Sequence, residues 1–437
     1  MTSQLVDVAI VGLGSAGEAL AEELAGRGRH VVGFEPGRVG GECPFTACMP
    51  SKSLLHDATT GATWEQARAH RDEVVDHLDD GSHARELEEA GVTVVRRPAT
   101  VADDGVVEAD GRRWRARHVV LATGSSPVVP PIPGLDEVPW STSDELMVAP
   151  DLPESLLVLG GGAIGCEAAT IMAGFGRPVT IVENGDLLGG VVDPAVADRL
   201  AQQLLDQGVQ VRTGSELERV IPTSGGLRAT LSSGADVEAA SVLVATGQSP
   251  SWGSLGLDSL GIPDEEPDVD DEYQVGGRDW LRAIGDLNGR SPWTHGANHE
   301  ARRLARLLIG EPPGPATEHM ASCVFTSPPV GAIGLTAEAA AEQGHDVVVG
   351  SARYSDVARF STDHLGDGVV VVVADRTTGA LLGCSGTGAR FDDVIGIVAA
   401  LMHCGATVRS AAELVLPFPT IGQVLTPAFR DAVDAMD

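Results

Sequence analysis

The chain contains two copies of one pattern, in which an apolar strand, a glycine-rich loop, a helix and a second strand follow in order. In the first copy, a strand at residues 8–11 leads into Gly12-Leu13-Gly14-Ser15-Ala16-Gly17, a helix to about residue 27 and a strand ending at Glu35. In the second, a strand at 156–159 leads into Gly160-Gly161-Gly162-Ala163-Ile164-Gly165, a helix to about residue 174 and a strand ending at Glu183. Two such copies predict an α/β protein with two parallel strand–helix–strand units.

The residues of each copy match the chemistry of a bound dinucleotide. Glycines let the backbone approach a pyrophosphate at the helix N-terminus, where unpaired N–H groups favour an anion. An acidic residue about 20 positions further on accepts hydrogen bonds from a ribose. Two tight structural turns would explain the glycines but not the acids at matching distances. We therefore expect two bound dinucleotides.

Two cysteines lie five positions apart in the stretch Gly41-Glu42-Cys43-Pro44-Phe45-Thr46-Ala47-Cys48-Met49-Pro50-Ser51-Lys52. They can meet on one turn if Cys48 begins a helix, where the backbone N–H groups and the helix dipole favour a thiolate. Lys52 is the only lysine in the chain, and lysine and arginine are not interchangeable at a functional site. The stretch predicts a redox dithiol beside a dinucleotide; a structural disulfide or an inert reduced pair is the alternative.

Length and charge limit the remaining possibilities. A chain of 437 residues predicts two to four domains, and a formal net charge of −32 disfavours nucleic acid and anionic membranes as partners. No apolar run is long enough to span a bilayer, and no basic segment precedes the first strand. We expect a soluble, cytoplasmic protein without a metal site, in which the scattered Cys166, Cys323, Cys384 and Cys404 are small buried residues.

The remaining segments predict further elements. Short antiparallel strands are expected at 92–95 and 106–116, and apolar runs lead to Thr123-Gly124 and Thr246-Gly247. The proline-rich residues 127–133 indicate a domain crossing. After about residue 315, strands at 323–325, 347–349 and 369–373 and a helix at 392–403 predict an additional α+β domain.

Together these motifs resemble the class I pyridine-nucleotide–disulfide oxidoreductases, such as dihydrolipoamide dehydrogenase, glutathione reductase and mercuric reductase. The resemblance covers the whole chain, and the motifs occur in the order of the family. Besides the two loops and the cysteine stretch, they are Ala-Thr-Gly at 122–124 and 245–247, Ala283-Ile284-Gly285-Asp286, Phe325-Thr326-Ser327-Pro328 and Phe418-Pro419-Thr420.

The resemblance implies two Rossmann-like domains, with the NAD domain inserted in the FAD domain, and a C-terminal α+β dimerisation domain in a homodimer. It divides the chain into residues 1–145 (FAD domain, first part), 146–266 (NAD domain), 267–315 (FAD domain, second part) and 316–437 (dimerisation domain). FAD and NAD are the cofactors implied. The residues expected to bind them are Gly12, Gly14, Ser15, Ala16, Gly17, Glu35, Gly41, Lys52, Ala99, Thr123, Gly124, Gly160, Gly162, Ile164, Gly165, Glu183, Gly247, Gly285 and Asp286.

The resemblance also implies roles for individual residues. Cys48 would lie against the flavin and Cys43 would face the substrate, while Lys52 and Glu167 match the ion pair of the family beside the reactive edge of the isoalloxazine. Asp286 would bind the ribityl chain. Because no arginine lies between Glu183 and Gly190, Glu183 would hydrogen-bond a 2′-hydroxyl and repel a 2′-phosphate, which favours NADH over NADPH.

The chain departs from the family near its C-terminus. The family usually ends in a His–Glu pair that acts as acid and base across the dimer, whereas this chain has Phe418 and Gln423 at the aligned positions. Neither side chain exchanges a proton near neutral pH, and loss of a positioned base costs about 10²–10⁴-fold in rate. We therefore expect poor turnover of ordinary disulfides. The vicinal cysteines with which mercuric reductase ends are also missing.

Three functions remain open. The first is an NADH-dependent flavoenzyme that passes electrons to a small acceptor, which is a quinone, a metal ion or an unusual disulfide. The second is a C–S bond-cleaving reaction resembling that of 2-ketopropyl-coenzyme M oxidoreductase/carboxylase, in which phenylalanine also replaces the histidine. The third is a non-enzymatic redox sensor. Among histidines that could replace the missing base, His295 and His299 are expected at the surface, and His403 is expected to be packed.

Overall fold

The computed structural model describes residues 4–263, 267–314 and 319–436. Residue 266, at one predicted domain boundary, and residues 315 and 316, at another, lie outside the described residues. The chain forms two compact units. Unit 1 comprises residues 1–50, 69–128 and 248–316, and unit 2 comprises 51–68, 129–247 and 317–437.

Helices occur in both units. The α-helices of the described residues are α1 (Ser15–Ala25), α2 (Glu42–Phe45), α3 (Cys48–Thr60), α4 (Trp64–Val74), α5 (Gly81–Glu89), α6 (Ser143–Met147), α7 (Ala163–Gly174), α8 (Pro194–Asp206), α9 (Thr294–Leu308), α10 (Ala337–Glu342), α11 (Ala358–Asp363), α12 (Phe391–His403), α13 (Val408–Ala412) and α14 (Leu425–Asp434). Short 3₁₀ helices cover Asp76–Leu78, Leu135–Glu137, Leu257–Leu260, Gly285–Asn288, Tyr354–Asp356 and Ile421–Val424.

Strands alternate with these helices. They are β1 (Gln4–Val11), β2 (Val31–Phe34), β3 (Thr93–Val95), β4 (Thr100–Asp103), β5 (Val106–Ala109), β6 (Arg112–Leu121), β7 (Ser125–Pro127), β8 (Trp140–Ser141), β9 (Leu156–Leu159), β10 (Val179–Val182), β11 (Gln210–Arg212), β12 (Leu217–Thr223), β13 (Gly226–Leu231), β14 (Asp236–Ala239), β15 (Ser241–Val244), β16 (Gln248–Pro250), β17 (Leu281–Ala283), β18 (Ser322–Val324), β19 (Val330–Gly334), β20 (Val347–Arg353), β21 (Val369–Asp375) and β22 (Leu381–Thr387).

Unit 1 is built on a parallel sheet with an antiparallel extension. Its order is β3-β2-β1-β6-β5-β4, and β17 also pairs with β6. Strands β1, β2, β3, β6 and β17 are parallel, while β4, β5 and β6 are antiparallel neighbours. Ile10 lies between Gly33 and Val120 in register and is fully buried. Helices α1 and α9 pack on each other, and the loop before α1 follows the carboxyl end of β1.

Unit 2 contains a parallel sheet and two antiparallel sheets. The parallel sheet has the order β11-β10-β9-β15-β8, and α7 follows the carboxyl end of β9. A three-stranded sheet, β12-β13-β14, packs its apolar side chains against residues of β9 and β15. The C-terminal sheet has the order β18-β19-β22-β21-β20, and α12 and α14 cover it.

The structure confirms the predicted fold class, with parallel dinucleotide-binding folds and a C-terminal α+β region. The predicted antiparallel strands at 92–95 and 106–116 were wrong in two respects. Strand β3 pairs with β2 in parallel, because the chain returns to the sheet through α5. The segment 106–116 is a hairpin rather than one strand, since Asp110 and Gly111 take φ of 51° and 70° and close a two-residue turn between β5 and β6.

Among the described helices, we find none with the length and apolar character needed to cross a bilayer.

Candidate functional site

The carboxylates of Glu35 and Glu183 bind their glycine loops in the same way. In unit 1, the backbone N–H of Leu13 donates to Oε2 of Glu35 at 2.9 Å and that of Gly37 donates to Oε1 at 2.7 Å. In unit 2, the backbone N–H groups of Gly161 and Gly185 donate to Glu183 at 2.6 and 2.8 Å. Each carboxylate oxygen can accept a second hydrogen bond, so both glutamates keep the capacity to accept one from a ribose hydroxyl.

The first glycine loop fits a dinucleotide. A Cβ atom on Gly12 would lie 2.3 Å from the carbonyl oxygen of Ala122, and one on Gly17 would lie 2.0 Å from that of Gly12. The outer glycines are thus required by backbone packing. At Gly14 the nearest atom, the Cα of Gly41, would be 3.8 Å away. The side of the loop at Gly14 is therefore open for the approach of a pyrophosphate.

The second loop repeats these contacts. Cβ atoms on Gly160 and Gly165 would lie 2.3 and 2.0 Å from backbone carbonyl oxygens, whereas one on Gly162 would meet nothing within 4 Å. Helix α7 begins at Ala163, directly after the open position. Both loops therefore have the shape that a bound diphosphate needs.

The cysteine pair lies in unit 1. Cys43 is on the short helix α2, and Cys48 is the first residue of α3, as the sequence predicts. The Sγ atom of Cys48 is 3.5 Å from the Oγ1 atom of Thr294, which is the first residue of α9. Both helix N-termini favour negative charge at that sulfur.

A buried carboxylate supports the turn that carries Asp286. Glu300, only 5% exposed, accepts hydrogen bonds from the backbone N–H of Gly285 at 2.8 Å and from Nδ2 of Asn288 at 2.9 Å. The Oγ of Ser125 donates to Asp286 at 3.0 Å. Burial raises the pKa of both Asp286 and Glu300, and these hydrogen bonds oppose that rise.

The Lys52–Glu167 ion pair lies in unit 2. The Nζ of Lys52 donates to Oε2 of Glu167 at 2.8 Å and to the hydroxyl of Ser51 at 3.2 Å. Oε1 of Glu167 accepts the backbone N–H of Phe325 at 3.0 Å. The glutamate is nearly buried and the lysine is half-exposed. The only lysine of the chain therefore has a fixed carboxylate partner on α7.

Phe418 and Gln423 both line an open groove of about 770 Å³ in unit 2. The side chain of Phe418 is 76% exposed. The side-chain oxygen of Gln423 accepts the backbone N–H of Thr420 at 3.3 Å and caps a short 3₁₀ helix. Gln423 thus has a structural hydrogen bond that a glutamate could also make.

The other predicted site residues are divided between the units. Unit 1 holds Ser15, Ala16, Gly41, Ala99, Thr123 and Gly124 together with the first loop, and unit 2 holds Ile164 and Gly247 together with the second. The Oγ1 of Thr123 donates to the carbonyl of Ser251 at 3.0 Å, and Ala99 is buried. The roles of these residues remain predictions.

Three expectations about other side chains were wrong. Cys404 and His403 are exposed, because α12 ends at His403 and the residues that it buries lie earlier in the helix, between Phe391 and Val398. Cys323 is half-buried rather than buried. As predicted, Cys166 and Cys384 are buried; burial raises the pKa of Cys166 to about 12 and that of Cys323 to about 11. His295 is exposed, as expected, and stacks on Trp293, whereas His299 is only partly exposed.

Sequence reasoning missed Thr294, Glu300 and Ser125. The first two had a recognisable signal, since Thr294 opens a strongly amphipathic helix and Glu300 occupies its apolar face beside Ala297, Ala301 and Leu304. An acid on an apolar face predicts a buried hydrogen-bonded carboxylate. Ser125 had no comparable signal.

Known proteins share this architecture over the full chain. The structure of the HOCl-induced flavoprotein disulfide reductase RclA from Escherichia coli, solved as a Cu(II) complex, superposes with a TM-score of 0.88 at 28% identity and covers 97% of this chain and 99% of RclA. Dihydrolipoyl dehydrogenase of Chlorobaculum tepidum is 30% identical over 98% of this chain and 97% of its own length. Mercuric reductase of Staphylococcus aureus is 26% identical over 96% of this chain and 81% of its own length.

Family models match nearly all of the chain. The pyridine nucleotide-disulphide oxidoreductase model matches residues 6–301, and the model of the dimerisation domain of that family matches residues 320–429. Members of this family are enzymes that contain FAD and use NAD(P)H. The chain, with its two glycine loops, its paired cysteines and its C-terminal α+β region, belongs to the pyridine nucleotide-disulphide oxidoreductase family.

Proposed function

We propose that the chain is an NADH-dependent flavoprotein in which Cys43 and Cys48 form a redox-active pair that reduces a small acceptor. The contact of Cys48 with Thr294 supports this proposal most strongly. The sulfur of Cys48 lies at the N-termini of two helices of 13 and 15 residues, in the unit that contains the first dinucleotide loop. A thiolate is favoured at such a position, and a thiolate is the reactive form of cysteine.

The residues expected to hold FAD lie mainly in unit 1. The open side of the loop at Gly14 would receive the pyrophosphate, Glu35 would bind the ribose, and Asp286 would bind the ribityl chain. A bound FAD would supply the redox chemistry between a reduced nicotinamide and the cysteine pair. Glu300 accepts the backbone N–H of Gly285, next to Asp286, and so fixes the backbone from which the Asp286 carboxylate extends.

The second loop supports NADH as the electron donor. Oε1 and Oε2 of Glu183 already accept hydrogen bonds from Gly185 and Gly161, so the carboxylate is held at the loop. A fixed negative charge there accepts a hydrogen bond from a 2′-hydroxyl and repels a 2′-phosphate. We therefore propose NADH rather than NADPH as the preferred donor.

With a disulfide acceptor, the cysteines would act by thiol–disulfide exchange. The Cys43 thiolate attacks one sulfur of the acceptor and releases the other as a thiolate. The Cys48 thiolate then attacks the Sγ of Cys43, which closes the Cys43–Cys48 disulfide and releases the second acceptor thiolate. Each released thiolate takes a proton, for which neither Phe418 nor Gln423 is a source.

Acceptors that need no such proton are therefore favoured, and Cu(II) is the first metal ion to test. Two Cu(II) ions would take the two electrons of one NADH and become two Cu(I) ions, with release of NAD⁺ and one proton. The solved Cu(II) complex of RclA, which is similar to this chain, supports that choice. Quinones are the next candidates because they can take electrons directly from the flavin; of the two protons in the hydroquinone, one comes from NADH and one from solvent.

We also propose that the protein is a homodimer and that its domains follow the division of the family. The match of the dimerisation-domain model to residues 320–429 supports the first statement. The division into 1–145, 146–266, 267–315 and 316–437 agrees with the order of the family motifs along the chain.

An anaerobic titration with NADH tests the proposal. Two-electron reduction of the purified holoprotein should produce a long-wavelength absorbance band from a Cys48 thiolate beside oxidised flavin. Cys48→Ser should abolish the band, and Cys43→Ser should retain or strengthen it. An acceptor screen with Cu(II), a quinone, lipoamide and glutathione disulfide would follow.

The outcomes separate the alternatives. NADH oxidation with Cu(II) or a quinone would support the proposal. A reducible protein that turns over none of these acceptors would favour the redox sensor, and cleavage of a C–S bond would favour the lyase-type reaction. A spectrum that neither cysteine substitution alters would contradict the coupling of the pair to flavin.

A further inference from the structure

The aromatic ring of Phe325 lies against the ion pair of Lys52 and Glu167. The Nζ of Lys52 is 4.9 Å from the centroid of that ring and lies over it. The backbone N–H of the same phenylalanine donates to Oε1 of Glu167 at 3.0 Å. Phe325 therefore contacts both charges of the pair, the ammonium with its ring and the carboxylate with its main chain.

A contact of this kind matters because the lysine of the ion pair remains partly exposed to solvent. The Lys52 side chain is 37% exposed, so solvent screens part of its attraction to Glu167. The side chain has four rotatable bonds, so it loses much rotamer entropy when it is fixed. The face of an aromatic ring attracts an ammonium and restricts its position further.

We propose that Phe325 is a positioning residue. It holds the Lys52 ammonium against Glu167, so that the ion pair is in place when a nicotinamide bound at the second loop reduces the flavin. The effect that Phe325 would have on flavin reduction rests on the proposed function, in which NADH reduces a bound flavin. The contact itself requires neither cofactor. Glu167 lies on α7, which begins directly after that loop, and Lys52 reaches it from α3; the pair and the loop all lie in unit 2.

The single lysine makes the contact directly measurable. In protein labelled with ¹³C-lysine, every side-chain lysine signal comes from Lys52. Its ε-methylene protons should resonate at higher field than those of free lysine, because protons above a ring face are shielded. Phe325→Leu should move the signal toward the free value, and Phe325→Tyr should leave it nearly unchanged.

Phe175 provides a matched control. It packs, half-buried, on the same apolar cluster as Phe325 but contacts the ring of Trp64 at 5.4 Å. Phe175→Leu should therefore leave the lysine signal in place. An unshifted signal in the native protein, or an equal change in both leucine variants, would overturn the proposal.

A double-mutant cycle tests the consequence. At saturating NADH, Phe325→Leu should slow flavin reduction in a stopped-flow experiment by about threefold to thirtyfold, the range expected for loss of a cation–π contact. Phe325→Tyr keeps an aromatic ring at this position and should therefore keep the native rate. In a Lys52→Met background, Phe325→Leu should have no further effect, because its target is gone.

The two proposals fail in different ways. If Phe325→Leu slows the Lys52→Met variant by the same factor as the native enzyme, the ring acts through general packing and the inference is wrong. If NADH does not reduce the native flavoprotein at all, the proposed function is wrong, and the lysine signal alone decides whether Phe325 holds Lys52.

Discussion

The sulfur of Cys48 lies 3.5 Å from the hydroxyl oxygen of Thr294, and each residue is the first of its helix. Cys48 begins α3 and Thr294 begins α9, so two helix N-termini meet at one thiol. The threonine hydroxyl can donate a hydrogen bond to a thiolate, and both helix dipoles favour that charge. The relationship explains how the fold itself would favour the thiolate form of Cys48.

Removal of the Thr294 hydroxyl should make Cys48 reactive only at higher pH. In a Cys43→Ser background, Thr294→Val should raise the midpoint of alkylation of Cys48 by about one pH unit, because a hydrogen bond to a charged group contributes about 1.5 kcal/mol. Thr294→Ser keeps the hydroxyl and serves as the control. Alkylation by iodoacetamide is measured by mass spectrometry of the Cys48 peptide, because the exposed Cys404 would react as well. Identical midpoints for valine and serine would show that the hydroxyl does not act on the thiolate.

Phe418→His combined with Gln423→Glu should improve the reduction of disulfides. The change returns an acid–base pair to the protein, although not necessarily its geometry, so some gain in lipoamide turnover is expected. The fold should tolerate it, because Phe418 is largely exposed and a glutamate can still accept the backbone N–H of Thr420. Steady-state NADH oxidation with lipoamide, glutathione disulfide and a quinone provides the measurement.

Quinone reduction is the internal control of that experiment, since it should change little. Brisk lipoamide reduction by the unmodified enzyme would mean that another residue supplies the base. The exposed His295 would then be the first candidate, and His295→Asn would test it.

Glu183 should make NADH the better electron donor. We expect kcat/KM for NADH to exceed that for NADPH by at least about tenfold, which corresponds to about 1.4 kcal/mol. Glu183→Ala should reduce this preference and also weaken the loop, because Gly161 and Gly185 lose their acceptor. Comparable kcat/KM values for the two nucleotides in the native enzyme would contradict the role given to the carboxylate.

The stability contribution of Asp80 should depend on pH. This carboxylate accepts hydrogen bonds from Arg96 and from the backbone N–H of Val39, the latter at 2.7 Å, just before the Gly40-Gly41 turn. The hydrogen bond from Arg96 is the main cause that lowers the pKa of Asp80. The ionised form therefore stabilises the folded state above the ordinary pKa of an aspartate, and the effect is lost as the pH falls through the lowered pKa.

Asp80→Asn should accordingly reduce the free energy of unfolding by about 1 kcal/mol at pH 7, the typical value for such a hydrogen bond. The difference should shrink as the pH falls below about 4. Urea unfolding at several pH values measures it. Glu238→Gln, which removes an exposed ion pair with Arg228, should have little effect at any pH. A difference that is the same at pH 3 and pH 7 would rule out the carboxylate charge as its cause.

Much of the fold, and the local structure of the glycine loops and the cysteine stretch, could be predicted from local sequence. The helix after each glycine loop and the helix start at Cys48 are local properties, because they depend on glycine spacing, apolar periodicity and backbone capping over a few residues. The same holds for α12 and for β21, whose apolar run at residues 369–373 is continuous.

Contacts between segments far apart in the chain could not be predicted from the sequence, and only the tertiary structure reveals them. Thr294 is 246 positions from Cys48, and Phe325 is 158 positions from Glu167, so no periodicity relates them. The exposure of Cys404 and His403 likewise depends on where α12 ends. The parallel pairing of β3 depends on where the chain returns to the sheet after α5. Residue types and their spacing determine which local structures and which chemistry are available, because those depend on neighbouring backbone and side chains. Which hydroxyl approaches the thiol and which ring covers the only lysine depend on the packing of segments far apart in the chain.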